Sequence, residues 1–149
     1  MIDTFGDNLL EGFEYESPSH EGNQFKDFLC VLEGFKTKFK NLHWSAYSNS
    51  IHVRVDELID KISDYQDILA EEVQGIQGQL EPNFLKGTNF DFTCPHEAID
   101  NLISRTDTFY SKLPQSSNFA GVRSECEAFI TNLHKYRYLF ELCRKGAMD

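Results

Sequence analysis

The sequence predicts an all-α fold, a four-helix bundle with one long crossover between helices 2 and 3. Three observations lead there. Apolar residues recur at steps of three and four along separate stretches, as buried helix faces require. No stretch shows the period-two alternation of a half-buried strand, and no internal repeat occurs. A segment with two Gly and two Pro, "GQLEPNFLKGTNFDFTCP", divides the second stretch from the third and is too long for a tight turn.

Taken in order, residues 1–23 carry acids, Gly, Ser and Pro around Phe5, Phe13 and Tyr15, and read as an acidic tail. The bundle is expected over residues 24–145, with 146–149 a short C-terminal tail. A first helix runs from about Gln24 to Trp44, on the stripe Phe25, Phe28, Leu29, Leu32, Phe35, Phe39 and Leu42. "SAYSNS" breaks it, with Asn49 or Ser50 as the next cap. The second helix, to about Gln77, has the clearest stripe: Ile51, Val55, Leu58, Ile62, Tyr65, Leu69, Val73 and Ile76. The crossover that follows has room for one short helical turn. A third helix starts at "CPHE", where Pro95, His96 and Glu97 fit a helix start better than a soft-metal site, and ends near Pro114. The fourth spans about Asn118 to Lys145. Phe119, Val122, Cys126, Phe129, Ile130, Leu133, Tyr136 and Phe140 face inward, His134 packs beside them, and Gly146 ends the helix.

The 149 residues fit one domain with a hydrophobic core. Asp and Glu number 24 against 14 Lys and Arg, a formal charge of −10. That balance attracts cations and repels phosphate backbones, and no Lys or Arg occurs before Lys26, so DNA binding through a basic arm is not expected. "MIDTFGDNLL" lacks the basic and apolar regions of a secretory signal, and nothing reads as a membrane span. Cys30, Cys94, Cys126 and Cys143 have no C-x-x-C spacing and read as reduced, mostly buried thiols. A cytoplasmic protein is expected.

The chemistry concentrates on the second helix. A di-iron site inside one bundle uses Glu-x-x-His motifs. Here Ser17, Lys40, Asn49, Thr93 and Thr131 stand three residues before the five histidines, so that motif is missing. Instead Asp56 lies four residues after His52, and Glu71 four after Asp67. All four side chains fall within an arc of about 100°. The two pairs are fifteen residues apart, roughly 22 Å along the axis, so one helix cannot bring them to one ion. Two copies, antiparallel across a two-fold axis near Lys61 and Ile62, can: His52 and Asp56 of one would face Asp67 and Glu71 of the other, twice. His43, at the end of the first helix, would lean over the same place. Mixed imidazole and carboxylate ligands suit Fe(II) and other first-row ions. On spacing alone, a carboxylate row opposite an apolar stripe is also what a solvated helix face looks like.

The stretch from "LHW" through "IHVRVDELIDKISDYQDILAEEV" resembles the Dps-like mini-ferritins of the ferritin-like superfamily. There a His-Trp pair ends the first helix. A second His follows on the next helix, then an Asp four later, an Asp eleven beyond and a Glu four beyond that. The matching positions are His43, Trp44, His52, Asp56, Asp67 and Glu71. The resemblance implies a ferroxidase in a hollow dodecamer that oxidises Fe(II), preferably with hydrogen peroxide, and stores Fe(III) as mineral. Metal and catalysis would be carried by His43, His52 and Asp56 from one subunit, with Asp67 and Glu71 from its neighbour. Trp44 would either intercept stray oxidants or simply pack at the helix end. The gap from His43 to His52 is shorter than the family's usual one. Glu72 stands where the family often has Arg, and reads as an extra ligand or an exposed carboxylate. The competing reading is a catalytically silent, virus-encoded ferritin-like structural or assembly protein, since a fold never fixes a function.

Overall fold

The computed structural model describes residues 19–148, with side chains over 24–145. Four helices form: α1 (Ser19–Trp44), α2 (Asn49–Gln77), α3 (Pro95–Ser111) and α4 (Ala120–Met148), with a 3-10 turn at Ser117–Phe119 leading into α4. Among the described residues there is no strand, and no helix is long and apolar enough to cross a membrane. The predicted stripes are the core. All seven stripe residues of α1 are buried. On α2 and α4 only Ile51, Ile76 and Ile130 are partly exposed.

The helix ends differ from expectation. α1 starts at Ser19, five residues before Gln24, so part of the expected acidic tail is helical. Pro18 just before a Ser-x-Glu first turn is a helix-start signal. The rest of that tail, residues 1–18, lies outside the described residues. α4 continues through Gly146 to Met148. The cap of α2 is Ser48, whose hydroxyl is 2.8 Å from that of Ser50 and makes no side-chain cap bond to the helix. α2 stops at Gly78, whose φ of +100° is open to glycine and costly for other residues. Cys94 caps α3, its Sγ accepting the Glu97 N–H at 3.5 Å, with Pro95 in the first turn, as "CPHE" predicted.

α1 packs along α2, and α3 along α4. α1 also touches α3, and α2 touches α4. Aromatic contacts give the polarity. Near the start of α1, Phe25 and Phe28 meet Phe109 at the end of α3, and Phe25 stacks on Phe119 just before α4. At the opposite end, Leu42, Ile51, Pro95 and Cys143 line one pocket. The starts of α2 and α3 therefore lie together.

Residues 78–94 join α2 to α3 with a turn at Pro82–Asn83 and no helix, so the expected helical turn is absent. This segment rests on α1. The Thr88 N–H donates to the Cys30 carbonyl at 3.1 Å, and Phe90 stacks on Phe35 with centroids 4.3 Å apart. The close approach explains Gly34 in mid-helix: a Cβ there would lie 2.2 Å from the Thr88 carbonyl oxygen.

Candidate metal centre

The four-residue link 45–48 folds the end of α1 back on the start of α2, which brings His43 and His52 face to face. Their rings stack with centroids 3.8 Å apart and planes 16° from parallel. The Nδ1 of His43 lies 2.8 Å from the His52 carbonyl oxygen, and the Nδ1 of His52 lies 2.8 Å from that of His43. A carbonyl only accepts, so both Nδ1 atoms carry the proton. In the neutral rings each Nε2 is then left with its lone pair. This is the tautomer a histidine ligand needs, with the opposite ring nitrogen anchored on backbone.

Asp56, one helical turn beyond His52, completes what one chain assembles. Its Oδ1 is 3.9 Å from Nε2 of His43, too far for a hydrogen bond. Nitrogen and oxygen ligands bind first-row ions at about 2.0–2.2 Å, so one ion can span that gap. The His43 side chain is 13% exposed and Asp56 60%, so the histidine is sheltered while the carboxylate faces solvent.

Asp67 and Glu71 stand apart from this group. Both are exposed, further along α2. Among the described residues no three His, Cys, Asp or Glu side chains converge as an ion site within the chain. Midway between the two pairs Ile62 is fully buried, and Lys61 lies about 100° round the helix from Asp60. On the arc of the two pairs the residues there are Asp60 and Ser63, in a groove shared with Lys36, Lys40 and Trp44, while Lys61 and Asp64 are exposed to either side.

Four side chains depart from the sequence reading. Trp44 is 69% exposed, with the Lys40 ammonium 6.0 Å from its ring, so it does not pack at the helix end. His134 is exposed rather than packed, because its position on α4 falls outside the core arc. Of the four free cysteines only Cys126 and Cys143 are buried, since Cys94 sits at a helix cap and Cys30 borders the 78–94 segment. His96 bonds the Phe140 carbonyl through Nε2, and Cys94 Sγ accepts the Glu97 amide as the cap of α3.

Glu72 is neither fully exposed nor beside Asp67 and Glu71. It turns toward α4, half-buried, with Oε1 shut off from solvent and without a partner. Burial, then the facing Glu125, raise its carboxyl above the ordinary range. Sequence reading missed this environment, although Tyr65 and Glu72, seven residues apart, share one flank of the helix. The chain matches no protein-family model and no curated protein sequence.

Proposed function

We propose that the chain is a ferritin-like subunit of the Dps-like kind, a cytoplasmic ferroxidase that takes Fe(II) as substrate and stores Fe(III). Its sites would be shared across a two-fold interface, within a dodecamer. The observation that carries this reading is the histidine pair: two imidazoles held in the ligand tautomer by each other's backbone, with Asp56 at bridging distance. The ferritin-like topology is supported by the common end of α2 and α3 and by the course of residues 78–94 beside α1.

In this reading His43, His52 and Asp56 bind Fe(II) from one side. Asp67 and Glu71 of the partner subunit close the site from the other, and their hard carboxylates favour the ferric product. The reaction balances with hydrogen peroxide as oxidant: two Fe(II) each give one electron, two protons are taken up, and two waters leave with two Fe(III). Asp60 and Ser63 would lie nearest the two-fold axis, with Lys40 offsetting the paired Asp60 charges. The surplus of acids speaks against DNA as a partner.

A second reading has its own observation. The reciprocal bonds fasten α1 to α2 whether or not iron binds, as in a catalytically silent ferritin-like assembly protein. One experiment separates the two. Fe(II) is loaded anaerobically, hydrogen peroxide is added, and ferric absorbance is followed in the wild type, Asp67→Ala and Glu71→Ala. Fast, soluble oxidation that is lost in both variants is expected. Rates equal to buffer in all three leave the assembly reading.

A further inference from the structure

α2 and α4 run antiparallel, and three contacts set their register: Glu57 with Tyr136, Tyr65 with Phe129, and Glu72 with Gly121. Between the last two contacts the seam is polar and incompletely satisfied. Tyr65 is 4% exposed and its ring stacks on Phe129 at 4.1 Å, yet its hydroxyl has no hydrogen-bond partner. The Cys126 thiol lies beside that hydroxyl without bonding geometry. Cys126 is nearly one turn of α4 from Phe129 toward Glu125 and Gly121, so the phenol points down the seam to the carboxylates. Glu72 enters from α2, with Oε1 buried and orphaned and Oε2 3.4 Å from where a Cβ at position 121 would be. Glu125, one turn beyond Gly121, repels it. No ion pair among the described residues reaches either carboxylate.

We propose that this seam binds a small hard cation, held by the Glu72 and Glu125 carboxylates with the Tyr65 hydroxyl oxygen as a third donor. A water could satisfy the two orphaned atoms but would leave the carboxylates repelling each other; a cation does both. All three donors are oxygens. The neighbouring thiol, pushed up to about 11 mainly by burial, stays protonated at neutral pH and offers no soft ligand. The set therefore suits Mg²⁺, Mn²⁺, Ca²⁺ or a trivalent ion rather than zinc or copper. Glu72 is turned about 100° around α2 from Glu71, so this site is separate from the outer carboxylate row.

The probe is Tb³⁺, whose emission is sensitised by a tyrosine close to the ion. A Trp44→Phe background removes the one indole, which adjoins the histidine pair. Saturable emission on tyrosine excitation is expected, with most of it lost in Tyr65→Phe. Glu72→Gln and Glu125→Gln should each weaken binding about tenfold or more, while circular dichroism shows both folded. Asp67→Ala should leave the Tyr65-dependent emission in place, so the seam stands or falls independently of iron oxidation at the outer row. Emission indifferent to Tyr65→Phe or to both glutamine variants overturns the proposal. So does no saturable emission at millimolar Tb³⁺, which would leave water as the occupant.

Discussion

Two places where helices press polar side chains together make opposite use of them. At the α1–α2 corner His43 and His52 satisfy each other's Nδ1 atoms, both of which find carbonyls at 2.8 Å, while Nε2 of His43 is left 3.9 Å from Asp56. In the α2–α4 seam Tyr65 is buried and Glu72 half-buried, and each keeps an enclosed atom without a partner. A satisfied contact locks a corner and costs little to keep. An unsatisfied one costs about 1–3 kcal/mol per orphaned group unless something occupies the space between. The first arrangement leaves two Nε2 atoms open in the tautomer a ligand needs; the second leaves a buried hydroxyl and a carboxylate oxygen unsatisfied.

The largest expected difference between the two regions is in chemistry. His52→Ala removes an anchor and a proposed ligand, so on the ferroxidase reading peroxide-driven iron oxidation should fall to the buffer rate, as stopped-flow absorbance would read. Tyr65→Phe should leave that rate unchanged. A His52→Ala protein that still oxidises iron breaks the assignment of the corner as a ligand site.

Stability should separate them next, and with opposite signs. His43→Phe keeps a stackable ring but removes the Nδ1–H that the His52 carbonyl accepts in addition to its helical donor, and urea melts should show a loss of about 0.5–1.5 kcal/mol. In chelator-treated protein Tyr65→Phe removes an orphaned hydroxyl and should be neutral or stabilising by up to about 1 kcal/mol. Destabilisation by Tyr65→Phe would mean that the hydroxyl has a partner after all.

The smallest effect is a pH dependence. Burial and Glu125 raise the Glu72 carboxyl above its ordinary value of 4.5. Its contribution to stability is therefore fully present below pH 4.5 and is lost as pH rises through the raised value. Without added cation, wild type should weaken relative to Glu72→Gln between acidic and neutral pH in paired denaturant melts. Saturating Mn²⁺ should shrink that difference. Parallel curves at all pH values would mean that Glu72 is solvated like an ordinary surface carboxylate.

Much of the outer flank was readable from spacing. His52, Asp56, Asp67 and Glu71 fall on one arc of α2 because a helix repeats every 3.6 residues, and that repeat is local. The sequence placed His43 at the end of its helix, leaning toward the His52 pair, but left its orientation open. Its tautomer depends on a carbonyl nine positions away, brought close by the turn of the link. Glu72 was harder still, since its neighbour in sequence is exposed and its environment is made by Gly121 and Glu125 on another helix. Gly34 in mid-helix is explained only by the folded chain, where the Thr88 backbone presses against it.

By itself the sequence determined the four helices, the buried faces of α1, α2 and α4, and the order of ligand-type residues along α2, all consequences of patterns within single segments. Tertiary structure alone decided which polar atoms are paired and which are stranded. Those outcomes depend on the register between helices far apart in the chain, and one turn of slippage between α2 and α4 would move Glu72 away from Gly121 without altering the buried stripe of either helix.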